Sequence, residues 1–149
     1  MKQPDGMTVI VKTITRMSVW LIIMYGMYII LHGHLTPGGG FAGGVILALA
    51  FLNIMLAFGR KYTEEWLNIK IMYDLVAAGT MMFLIMGILG IALKGSFLAN
   101  FLDHGELFKL HSAGIIPIID IFIGLIVGMG LFVVIWTLSV FHLEDGGEK

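Results

Sequence analysis

Residues 17–59 read MSVWLIIMYGMYIILHGHLTPGGGFAGGVILALAFLNIMLAFG, without a single Lys, Arg, Asp or Glu. One membrane crossing takes roughly 20 apolar residues, so this stretch holds two. It divides at His32-Gly33-His34-Leu35-Thr36-Pro37-Gly38-Gly39-Gly40, where proline and consecutive glycines end one helix and open another. The expectation is one span over about residues 17–33 and a second over about 38–58.

Outward from this pair the same rule gives two more spans, over about 71–93 with Asp74 as its one charge and about 113–141 with Asp120 as its one charge. The chain reads as a single membrane domain over residues 1–149, all-α and integral to the membrane, with four transmembrane helices. Composition agrees: 58% hydrophobic against 13% charged residues leaves too little polar side chain to coat a water-facing globule. Nine basic and ten acidic residues give a net charge of −1, which excludes nucleic-acid binding through a global basic field. With no cysteine, disulfide scaffolds, thiolate nucleophiles and cysteine-bound metals are excluded as well. Ser18, Ser96, Ser112 and Ser139 stand in no nucleophile elbow, and no H-E-x-x-H occurs, so no catalytic site is expected in this chain.

Four crossings place both termini and the Gly59–Lys70 loop on one side, together with Lys2, Lys12, Arg16, Arg60, Lys61, Lys70 and Lys149; Lys94 and Lys109 fall on the other. By the positive-inside rule the first side, and both termini, are cytoplasmic. The first apolar run ends in His-Gly-His-Leu rather than a small-x-small cleavage site, so it reads as a retained helix. Residues 7–15, half polar and β-branched, read as an interfacial or loosely helical lead-in.

Ionisable groups inside a membrane are expensive and point to function or partners. Asp74 shares a helical face with Ala77, Ala78 and Met81. That face suits a neighbouring helix, unless the carboxylate merely reaches the headgroup zone beside Lys70. Asp120 lies well inside an apolar run, on one face with Gly124 and Gly128, a GxxxG pair built for close approach. It is a candidate proton or cation relay element or an inter-subunit contact; the alternative is a carboxylate near the outer headgroups, satisfied by water or Ser112. Lys94, His32, His34 and His111 fall in the same outer half as Asp120 and form with it a candidate polar cluster, although Lys94 at a helix end can equally snorkel to the interface. Haem or zinc ligation needs opposed or convergent ligands that these histidines do not obviously supply. In the second span Gly39/Gly43 and Gly40/Gly44 make two overlapping GxxxG pairs directly behind Pro37, leaving free backbone N–H groups to face a cavity or partner.

The string Gly33-His34-Leu35-Thr36-Pro37-Gly38-Gly39-Gly40-Phe41-Ala42-Gly43-Gly44 resembles the signature G-H-x-x-P-G-G-G-F-x-G-G of the MnhB/MrpB-type component of Mrp multisubunit sodium/proton antiporters, with every fixed position matched. Similar subunits occur in antiporter-like modules of membrane-bound hydrogenases and sulfur-reducing respiratory complexes. The resemblance implies an accessory subunit in the prokaryotic inner membrane that packs against other membrane subunits and helps couple sodium to proton movement. It implies no bound cofactor beyond transient Na⁺. By motif position it carries over His34, Pro37, Gly38, Gly39, Gly40, Phe41, Gly43 and Gly44; Asp74, Lys94 and Asp120 rest on the physical argument alone. The competing reading is a small homo-oligomeric cation transporter or channel in which Asp74 or Asp120 is the shared binding group.

Overall fold

The computed structural model of the protein describes residues 6–35, 37–102 and 113–145. Among them are five helices and no strand: α1 (Val9–Leu31), α2 (Gly39–Phe58), α3 (Arg60–Trp66), α4 (Ile69–Lys94) and α5 (Ile116–Asp145). All but α3 are long and apolar enough to cross a membrane.

The spans expected from charge are all present, with shifted ends. α1 begins at Val9 rather than near residue 17 and stops at Leu31 rather than 33. The β-branched lead-in is helical because tertiary contacts outweigh its weak propensity. The Met7 N–H donates to the Ala57 carbonyl at 2.9 Å, Val11 packs against the C-terminal end of α2, and the Thr13 hydroxyl is absorbed by donating to the Val9 carbonyl at 3.0 Å. Lys12 and Arg16, read as lying ahead of the span, sit inside α1 over the Phe58 ring. The short helix α3 was not expected. Gly59, at φ 86°, turns the chain out of α2, and buried Thr63 anchors α3 by donating to the Gly59 carbonyl at 2.9 Å. Asn68 caps α4 by accepting from the Lys70 N–H at 3.1 Å, and Gly95, left-handed at φ 77°, ends it. α5 begins at Ile116 rather than 113, since Ala113 and Gly114 both adopt positive φ.

The spans stand in the order α1, α2, α5, α4, with α2 against both α1 and α5, and α4 principally against α5. At one end of the row Val19, Ala50, Ile54, Ala57 and Phe58 join α1 to α2, while Met72, Phe132, Val133 and Trp136 join α4 to α5. At the other end the α1–α2 turn meets the start of α5, and side-chain volume there is replaced by glycine.

Candidate functional site

The two overlapping GxxxG pairs of α2 serve two neighbours. Gly43 faces α1: a Cβ there would lie 2.8 Å from the Gly26 carbonyl oxygen and 3.0 Å from the Ile30 nitrogen. Gly44 faces α5, where a Cβ would meet the Gly124 carbonyl oxygen at 2.9 Å and the Gly128 nitrogen at 3.1 Å. Gly128 in turn faces Gly44 and Leu47, and Gly124 takes the Ile30 side chain. Backbone therefore approaches backbone on both sides of α2, the geometry that small residues permit between membrane helices.

One turn earlier the same face of α2 reaches Asp120. A Cβ on Gly40 would collide with the Asp120 main chain, 2.9 Å from its carbonyl carbon and 3.0 Å from its Cα. The contact brings the side chain to the helix end: the Gly40 N–H donates to Asp120 Oδ1 at 3.3 Å. The other carboxylate oxygen lies against Gly33, where a Cβ would be 2.7 Å from Oδ2. Gly39, at φ 78°, would place a Cβ 3.6 Å from Oδ1. Gly33, Gly39 and Gly40 thus form a cradle around a half-buried carboxylate.

The chemistry of the cradle is that of a helix cap delivered from another helix. The first N–H groups of α2 have no partner within the helix, and the N-terminal end of a helix carries partial positive charge. A carboxylate there meets both needs at once. One expectation for Asp120 is a partner on a neighbouring subunit; it finds a donor within its own chain, and the free N–H groups expected to face a cavity include one that faces Asp120.

The other polar residues are distributed differently. His32 closes α1, its Nδ1 3.1 Å from the Tyr28 carbonyl oxygen and its ring stacked on Tyr28 with 4.3 Å between centroids. His34 is half-buried in the turn. Lys94, the last residue of α4, is exposed, and among the described residues no hydrogen bond or ion pair joins it to Asp120. His111 lies outside the described residues. Asp74 is at the opposite end of the row and exposed. Of its helical neighbours Ala78 and Met81 are exposed too and Ala77 is half-buried, so this face is turned largely away from the rest of the chain. Phe41, at the start of α2, is exposed, and Pro37 is exposed at the turn. Among the described residues no three His, Asp or Glu side chains converge as a metal site.

Asn100 was not anticipated. Its Oδ1 accepts from the Ile115 N–H at 3.2 Å and the Leu102 N–H at 3.3 Å, and its Nδ2 donates to the Ala113 carbonyl at 3.4 Å. It fixes the entry to α5 five residues before Asp120 and so sets the height at which that carboxylate meets α2. An asparagine in a non-periodic connection gives no warning of this beyond its aptitude for binding backbone.

A family profile for the domain related to the MnhB subunit of Na⁺/H⁺ antiporter matches residues 10–133. The chain belongs to this MnhB-related family. A multi-pass membrane protein of this family is consistent with every span described above. The MnhB-related chain is 37% identical over 129 residues to an uncharacterized protein of Methanocaldococcus jannaschii, an alignment covering 83% of this chain and 48% of that protein. It is 27% identical over 142 residues to the MnhB-type component of the Na⁺/H⁺ antiporter of Bacillus subtilis, covering 94% of this chain and 93% of that one. Its fold is similar to a chain in the structure of the membrane-bound sulfane sulfur reductase, an archaeal respiratory membrane complex, with a TM-score of 0.76 and 32% identity. That match covers 93% of this MnhB-related chain and 62% of the other. The chain therefore spans about half the length of the archaeal relative.

Proposed function

We propose that the chain is an accessory subunit of a multisubunit sodium/proton antiporter module, in which its glycine-locked helices form a fixed body beside an ion path built with other membrane subunits. The observation that carries this reading is the signature turn itself: its glycines close around Asp120, so the most distinctive residues in the chain are committed to placing one intramembrane carboxylate. The family match and the likeness to a subunit of a respiratory membrane complex support the same assignment.

In this reading Asp120 holds the start of α2 and offers its second oxygen to a passing cation. Asp74, exposed on the outer face of α4, meets a partner subunit. His32, His34, Lys94 and His111 belong to the outer half, with Lys12, Arg16, Arg60, Lys61 and Lys70 on the cytoplasmic side with both termini. The chain binds no resident cofactor, and Na⁺ is bound only in transit. It resides in the prokaryotic inner membrane.

Purification of the tagged chain in mild detergent tests the assignment. Several distinct hydrophobic subunits are expected to accompany it; a clean homo-oligomer would establish the small transporter or channel instead. In inverted vesicles, Asp120→Asn combined with Asp74→Asn is expected to weaken sodium-dependent proton movement, and unchanged coupling in the assembled complex would remove both carboxylates from the ion path.

A further inference from the structure

At the end of the row opposite the glycine cradle, α1, α2 and α3 enclose a groove of about 410 Å³, lined in part by Thr15, Arg16, Trp20, Phe58, Tyr62 and Trp66. Its composition is graded. Arg16, Tyr62 and Trp66 stand at the mouth, whereas Val19, Ile23 and Ile54 form an apolar floor reaching further along α1. From Arg16 to Ile23 is seven helical residues, about 10 Å of rise.

Electrostatics at the mouth is one-sided. The Arg16 guanidinium lies 5.2 Å from the centre of the Phe58 ring and the Lys12 ammonium 5.9 Å from it, so two cations share one aromatic ring. None of the lining residues is acidic, and Glu64 and Glu65 of α3 are exposed and absent from the lining. The indoles of Trp20 and Trp66 are 63% and 51% exposed. Amphipathic rings in that position mark the boundary between hydrocarbon and headgroups.

Size selects among occupants. Spread over about 10 Å of length, 410 Å³ gives a mean cross-section of about 40 Å². A helix of 10–12 Å diameter needs about 80 Å² or more. A single acyl chain does not.

We propose that this groove is a binding site for an anionic phospholipid, one acyl chain lying on Val19, Ile23 and Ile54 and the phosphate held by Arg16 with Lys12. Basic pockets between helices at the cytoplasmic surface bind anionic headgroups in this way. The site is independent of the antiporter assignment, since it draws on none of the residues of the glycine cradle.

The test uses the chain purified in mild detergent with whatever subunits accompany it. Two of its three tryptophans line the groove, so brominated phosphatidylglycerol and brominated phosphatidylcholine with the same tails report binding by quenching. Quenching by the anionic lipid is expected at a several-fold lower concentration. Arg16→Gln should weaken that preference about fivefold, the equivalent of about 1 kcal/mol per basic residue near the surface. Adding Lys12→Gln should abolish it, and Arg16→Lys should retain it. These substitutions leave the apolar packing intact. Ile23→Phe, which fills the floor, should reduce quenching by both lipids. Equal quenching by the two lipids, or a preference unchanged in the double variant, would overturn the proposal. So would absence of quenching together with a disulfide between Trp66→Cys and another polypeptide, which would make the occupant a protein.

Discussion

Alanine at position 40 is the sharpest perturbation of the glycine cradle. The added methyl would sit 2.9 Å from the Asp120 carbonyl carbon and 3.0 Å from its Cα, closer still to the carbonyl oxygen. Ordinary contact requires about 3.5–4.0 Å, and the obstructing atoms are backbone, which has no rotamer to change. α2 and α5 must therefore part by about 1 Å. Overpacking of this kind costs about 1–3 kcal/mol, and stretching the 3.3 Å Gly40–Asp120 hydrogen bond beyond reach adds about 1–3 kcal/mol for a donor left without its charged acceptor. The sum is about 2–6 kcal/mol. Gly130→Ala is the matched control: it also lies in a membrane helix, its nearest neighbour being Val76 Cγ2 at 4.0 Å. There the loss of glycine's backbone freedom should be neutral or stabilise by up to about 1 kcal/mol. Denaturation in mixed micelles, read by circular dichroism, compares the two. Gly40→Ala and Gly130→Ala of equal stability would refute the claim that the motif glycines exist to admit Asp120.

Asp120→Ala should speed deuterium exchange at the Gly40 amide and destabilise by about 1–3 kcal/mol, with Asp120→Asn intermediate because it keeps an oxygen acceptor; an unaltered Gly40 exchange rate in Asp120→Ala would contradict the cap. Asn100→Ala should loosen the entry to α5 by about 1–3 kcal/mol, measured as faster exchange at Ile115, and no change there would show that the connection is held by other groups. Thr63→Val should destabilise by about 1 kcal/mol and free α3, visible as greater proteolysis near Lys61; wild-type resistance would show that packing alone holds this helix. Asp74→Asn should leave the stability of the isolated chain within about 0.5 kcal/mol, because the residue is exposed, while reducing retention of companion subunits. A large loss of stability without loss of companions would place its contacts within this chain.

The spans were legible because charge is so scarce: Asp74 and Asp120 interrupt otherwise clean apolar runs. Where charge was taken as a boundary it misled, since Lys12 and Arg16 lie within α1 and direct their cations at Phe58. α3 was invisible for a related reason, its seven residues being too polar and too few to show a periodic face. The glycine pairs were readable as packing surfaces, yet not which partner each would take; that assignment depends on the order of helices across the membrane. The Gly40–Asp120 contact joins residues 80 positions apart, and local pattern carries no information about it. Both halves were marked as unusual, and only their juxtaposition was missing.

Contact through main chain on two sides of α2 also determines which parts of the protein can move independently. α1, α2 and α5 interlock at Gly26, Gly43, Gly44, Gly124 and Gly128, with few compliant side chains to absorb a displacement, so a push on any of the three is transmitted to the others. α4 rests on α5 through a softer seam, where Gly79 meets the side chains of Ile126 and Leu125. Any rearrangement during turnover is thus channelled to that seam, and α4, carrying Asp74, becomes the lever by which a neighbour could work against an otherwise stiff plate.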